Sequence, residues 1–165
     1  MSEFQGKKAD KEHIEYFEKR VLNSLRGHLP SHGKVFFDTS SPGGLVAKKV
    51  IVPFSEKARN TEASRDNADL IVLGDSLDDM VLDIMEHAIN GKSLGIAPKC
   101  VKPLETCSDK EIEAYARIKD IVLPEKKTGT KLRQAIKEEL EMLEQRHPGI
   151  KYSILSSGKK LQELE

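Results

Sequence analysis

The chain has 165 residues, 38% of them apolar and 33% charged, with 27 acidic and 27 basic side chains that leave no formal net charge. That length suits one domain around a single sizeable core, and the neutral balance excludes a global positive field for nucleic acid, so any RNA contact must come from a local patch. No apolar run is long enough to span a bilayer, and Met1 to Lys11 is polar with no signal-peptide stretch, so the expectation is no membrane association and a cytoplasmic location.

In chain order, residues 9–29 predict a helix. Ile14, Phe17, Val21, Leu22, Leu25 and Leu29 recur at helical spacing between charges, and Pro30 ends the run before the turn Ser31-His32-Gly33. Residues 34–38 (KVFFD) read as a short buried strand. Residues 39–44 (TSSPGG) read as a loop, 45–53 as a segment whose β-branched second half suits a strand, and 56–67 as a polar helix. Residues 69–73 (DLIVL) are the clearest buried strand. Gly74-Asp75-Ser76 turns into a helix over 77–90, with Asp78 and Asp79 in its first turn. Residues 101–104 suit another short strand. Ser108 with Glu111 forms a capping box ahead of a helix bearing Ile112, Tyr115 and Ile118. A loop over 124–130 leads to a long helix over 131–146, stopped by Pro148-Gly149, and a short element begins at Ile150.

Short apolar strands alternating with amphipathic helices predict an α/β fold: a Rossmann-like parallel sheet of about four or five strands with helices on both faces. The organisation expected is an N-terminal helix and linker (1–33), the α/β domain (34–160) and a polar tail (161–165). Such sheets bind ligands beyond the carboxyl ends of their strands, at the switch point in strand order. Two junctions qualify, the loop 39–44 and the turn beginning at Gly74. Asp78 and Asp79 either complement the dipole of their helix or face a nucleotide's phosphates through Mg²⁺.

The stretch GDSLDDMVLDIM, from Gly74 to Met85, resembles the glycine-His-x-x-Asp-Asp signature of the PP-loop superfamily (N-type ATP pyrophosphatases, adenine nucleotide alpha hydrolase-like), with Asp75 where that family has His. VKPLETCSDKEIEAYARIKDI, from Val101 to Ile121, resembles the Lys/Arg-Pro-Leu, Lys-Glu-Ile and Tyr-Ala block of the tRNA 2-thiouridine synthetases. The run from Leu132 to Leu155 resembles their C-terminal helix and the Pro-Gly-x-Lys-x-Ser-Ile-Leu stretch after it. Gly74-Asp75-Ser76 also resembles the second subunit type of the cytoplasmic tRNA 2-thiolation proteins.

What the resemblance implies is a shortened PP-loop fold with a degenerate nucleotide site. The candidate residues are Asp38, Thr39, Ser40, Ser41, Gly43 and Gly44 on one loop and Gly74, Asp75, Ser76, Asp78 and Asp79 on the other, with ATP and Mg²⁺ as the cofactors they would hold. Two departures bear on activity. VFFDTSSPGG stands where the family has a strand and Ser-Gly-Gly-x-Asp-Ser, and Pro42 removes an amide donor. The two cysteines, Cys100 and Cys107, match neither a CxxC nor the family's late cysteine, so no zinc or iron–sulfur cluster and no catalytic residue is assigned. The function implied is a non-catalytic subunit supporting 2-thiouridine formation. The alternative is an active ATP-dependent tRNA-adenylating sulfurtransferase with a non-standard phosphate loop. The partners implied are a catalytic PP-loop thiolase, for which the amphipathic first helix offers a docking face, and tRNA, bound directly or through that enzyme. Lys126, Lys127, Lys131 and Arg133 are the candidate contacts to tRNA phosphates, with Lys137 one turn further on; they read otherwise as a solvated basic loop.

Overall fold

The computed structural model describes residues 2–92, 99–127 and 129–162, with side chains from residue 9 onward. Helix α1 (Ser2–Ser24) leads into strand β1 (Lys34–Phe37) and helix α2 (Pro42–Lys57). Strand β2 (Thr61–Glu62), a 3₁₀ turn (Arg65–Asn67) and strand β3 (Leu70–Val72) follow. Helix α3 (Leu77–Asn90), strand β4 (Cys100–Val101) and helices α4 (Asp109–Ile118), α5 (Lys131–Arg146) and α6 (Ile150–Gln162) complete the chain.

The four strands are parallel in the order β2-β1-β3-β4, so the fold is the Rossmann-like α/β class that the alternation of elements predicts. β3 is central and paired on both sides, with Val35 opposite Leu70 and Ile71 opposite Cys100. From β1 the chain crosses to one side, and from β3 to the other. Right-handed crossovers therefore put α2 and α3 on opposite faces of the sheet. α1 and α4 join α2, while α5 and α6 join α3.

Four expectations need correcting. The second half of residues 45–53 is not a strand; the whole stretch is the body of α2. Ser41 caps that helix by accepting a hydrogen bond from the Gly44 amide, and Pro42 sits in its first turn, where a missing N–H costs nothing. Val46, Ala47, Val50 and Ile51 then recur at helical spacing and are buried against the sheet, so packing overrides their β-branched preference. The polar helix expected over 56–67 is absent: α2 ends at Lys57, and the edge strand β2 and the 3₁₀ turn take its place. Residues 101–104 are a strand only at Val101, and the element starting at Ile150 is a full helix.

The larger core joins Phe17, Val21 and Leu25 of α1 to Val35, Phe37, Leu70 and Val72 of the sheet, Val46, Val50 and Ile51 of α2, and Ile112, Tyr115 and Ala116 of α4. Phe17 stacks on Tyr115 at 4.5 Å between ring centroids. The apolar face of α1, expected as a docking surface, is thus buried within its own domain. The smaller core lies between α3, α5 and α6 (Leu77, Val81, Ile84, Ile136, Leu140, Leu155), and Gly158 lets α6 close onto Ile84. Among the described residues, no helix is long and apolar enough to cross a membrane.

Candidate functional site

The switch point falls between β1 and β3, and the loops leaving these strands carry both groups of candidate residues. Three glycines bring them together. A Cβ on Gly74 would overlap the Gly44 amide nitrogen, and one on Gly43 would overlap the Gly74 carbonyl. The N-terminus of α2 therefore rests directly on the end of β3.

The loop from Asp38 to Ser41 is tied up by its own side chains. Asp38 Oδ1 accepts from the Ser40 amide at 3.1 Å and from the Ser40 hydroxyl at 2.6 Å. Those hydrogen bonds, above all the hydroxyl's, hold the Asp38 carboxyl below the usual carboxylate range. The Gly44 amide is taken by Ser41 Oγ at 3.1 Å. With Pro42 lacking an N–H, several amides that an open anion nest would aim at a ligand are engaged or missing.

The other wall is built from the N-termini of α3 and α4. Ser76, 1% exposed, and Asp79 form a capping box on α3, while Ser108 and Glu111 form another on α4. The two ends interlock. The Asp109 amide donates to Asp78 Oδ2 at 2.8 Å, the Leu77 amide donates to the Cys107 carbonyl at 2.8 Å, and the Ser76 hydroxyl lies 2.6 Å from Asp109 Oδ1. From behind, Arg20 of α1 pairs with Glu111 and donates to the Thr106 carbonyl.

The carboxylates on this rim have basic partners of their own. Lys102 pairs with Asp75 at 2.8 Å. Lys126 lies 2.8 Å from Asp79 and 2.7 Å from Asp109. Arg133 reaches Asp83 at 2.6 Å and Glu86 at 3.1 Å. Lys151 of α6 pairs with Asp78. Burial pushes the Asp78 carboxyl up, but the Lys151 ammonium and the Asp109 amide outweigh it and hold it below the usual range. Burial likewise opposes the Lys126 ammonium, while Asp109 and Asp79 raise its pKa above the ordinary lysine value.

A cavity of about 490 Å³ opens at the switch point, with Ser40, Ser41, Asp75 and Asp79 on one side and Lys126, Lys127, Arg133 and Lys137 on the other. A second, of about 160 Å³, lies deeper against Gly43, Gly74 and Ser76. The structure thus gathers Ser40, Ser41, Gly43, Gly74, Asp75, Ser76 and Asp79 with Lys126, Lys127 and Arg133 around two adjoining cavities. Asp78 turns away toward α6, Asp38 folds onto Ser40, and Gly44 is buried. Thr39 and Lys131 are exposed and line neither cavity. Sequence reasoning missed Asp109, Lys102, Asp83 and Lys151. Asp109 follows the capping serine directly, which was a usable signal; Lys151 meets Asp78 across 73 positions, which no local pattern encodes.

Both cysteines stand outside these cavities. Cys107 is fully buried, and burial raises its thiol to about 11, so it is not a thiolate at neutral pH. Cys100 is half-buried on β4.

No known family profile matches the chain. Over 116 residues it is 28% identical to a probable sulfurtransferase of Methanocaldococcus jannaschii. The match covers 62% of this chain and 34% of the relative, so the chain spans about a third of the relative's length. Among solved structures it superposes on the U34-tRNA thiolase NcsA from Methanococcus maripaludis with a TM-score of 0.72, covering 93% of this chain and 80% of that one. Sequence identity there is 18%, so that likeness speaks to the fold. NcsA was solved with its [4Fe-4S] cluster, and this corrects the expectation that set iron–sulfur chemistry aside. Clusters are held by sets of thiolates, the chain has two cysteines, and the Cys107 thiol is buried and protonated. Among the described residues, no group of three or more His, Cys, Asp or Glu could hold a metal ion.

Proposed function

Taking the chain as a member of the PP-loop superfamily that includes tRNA thiolases, we propose that it serves tRNA thiolation in the cytoplasm as the companion of a thiolating enzyme. One observation carries this reading. The switch-point cleft is built, yet its carboxylates are neutralised by the chain's own Lys102, Lys126 and Arg133, and both thiols stand outside it.

In this reading the cleft receives the phosphates of an adenine nucleotide. Lys127 and Lys137, which line the cavity and make no ion pair to a described residue, would supply the positive charge, and Ser40 and Ser41 the hydroxyls. The exposed Lys127 and Lys131 would meet tRNA phosphates, a role that asks for charge and reach rather than fixed geometry. The sequence match to a probable sulfurtransferase supports the pathway, and the buried, protonated Cys107 supports the companion role. The alternative, an ATP-dependent tRNA-adenylating enzyme in its own right, is favoured by the position of Ser40 and Ser41 at a helix N-terminus on the switch point.

The experiment incubates tRNA, ATP and a sulfide source with this chain alone, with a PP-loop thiolase alone, and with both, and quantifies 2-thiouridine by mass spectrometry. The expected result is no product from the chain alone and more product with both proteins than with the thiolase alone. Product from the chain alone would establish the enzyme instead. No change in the thiolase's yield would remove the companion role.

A further inference from the structure

The two cavities at the switch point adjoin along Ser41, Pro42, Asp79, Asp109 and Lys126, and one short segment, residues 121–127, runs from the end of α4 past both, Leu123 and Pro124 lining the inner one and Glu125 and Lys127 the outer. Asp120, at φ 52°, turns the chain out of the helix, and the Ile121 amide makes the last backbone hydrogen bond, to Ala116. From residue 122 to 127 the main chain makes no backbone hydrogen bond to any described residue. Ile121 and Leu123 pack against the larger core and fix the first half. Leu123 and Pro124 roof the inner cavity, and Lys126 lines both cavities. The second half is held by Lys126, whose ammonium lies 2.7 Å from Asp109 and 2.8 Å from Asp79. These carboxylates sit on two different helices, α4 and α3.

We propose that residues 121–127 form a strap with Lys126 as its latch, and that the strap opens by rotating its 124–127 half away from the rim while Ile121 and Leu123 stay packed. Closed, it confines a ligand to the outer cavity. Open, it joins the two and exposes Gly43, Gly74 and the buried N-cap Ser76. The strap has no backbone ladder, so the latch side chain controls the opening equilibrium. The device does not depend on what the cleft binds.

Proteolysis of the native protein reads this equilibrium directly, because cleavage of a locally opened segment tracks the population of the open form. A glutamyl endopeptidase cutting after Glu125, followed by mass spectrometry of that one cut, is the assay. Lys126→Gln should speed it about tenfold, the scale of one charge-assisted hydrogen bond. Lys126→Arg, which keeps the charge, should stay near the wild-type rate. In the unmodified protein, raising salt to about 1 M should speed the cut, since screening weakens a partly exposed ion pair, and should leave Lys126→Gln unaffected. Equal rates at Glu125 in the wild type and Lys126→Gln, or a wild-type rate indifferent to salt, would overturn the latch. The salt arm needs no variant, so it decides the matter even if Lys126→Gln folds poorly.

Discussion

The two faces of the sheet are held by different physics. On the α1, α2 and α4 face, Phe17, Val21, Val46, Ile51 and Tyr115 make a continuous apolar layer, and most of them are nearly inaccessible to water. On the α3, α5 and α6 face the apolar cluster is smaller, and ion pairs between the helices add to it: Arg133 to Asp83 and Glu86, and Lys151 to Asp78. The candidate site lies where the second kind of packing meets the ends of the strands. A rim held by charge can be rearranged by salt, by pH or by a charged ligand, whereas an apolar layer responds to none of these strongly.

The largest effect should come from the apolar face. Phe17→Ala removes a fully buried ring that stacks on Tyr115, and it should cost about 3–5 kcal/mol of unfolding free energy in urea. A loss below about 1 kcal/mol would mean that α1 packs only loosely on the domain. Gly74→Ala tests the junction itself. Its new Cβ meets backbone rather than a yielding side chain, so overpacking should cost about 1–3 kcal/mol or more. An unshifted thermal midpoint would show that α2 does not rest on β3.

The ionic face gives a smaller loss and a distinctive pH signature. Lys151→Met leaves Asp78 without its cation, and about 1–3 kcal/mol should disappear near neutral pH. The folded Asp78 carboxyl titrates below its unfolded range. Its contribution is therefore present above the ordinary aspartate pKa of about 3.9, and it is lost as pH falls through the lower, folded value. Wild type and Lys151→Met should converge in stability through that acid window, as followed by denaturant titrations at successive pH values. A gap that persists undiminished at low pH would assign the loss to packing. The smallest effect belongs to the exposed pair of Lys48 with Glu62 on the edge strand. Lys48→Ala should change the unfolding free energy from urea titration by less than about 1 kcal/mol.

The legible parts of the fold share one property: their signals are local. β3 was readable because a run of apolar residues ends at Gly74. α3 was readable because Gly74 is followed by the N-cap residues Asp75 and Ser76, and α4 because Ser108 stands three residues before Glu111 in a capping box. α2 was misread because Val46, Val50 and Ile51 fit either period, and only burial against β1 and β3 chooses the helix. At the site, the sequence supplied the two loops and the basic segment as separate candidates. It could not show that Lys126 and Arg133 turn back onto Asp79, Asp109 and Asp83.

By itself, then, the sequence determined the α/β alternation, the caps that start the helices at the rim, and the positions of Gly43, Gly44 and Gly74. Each of these follows from the conformational and hydrogen-bonding preferences of a few consecutive residues. The tertiary structure alone decided which carboxylates face the cleft and which cation each one holds. Such pairs join residues 17 to 73 positions apart, and their geometry exists only after the sheet has brought the helix ends together. Long charged side chains carry no directional preference that a local pattern could record.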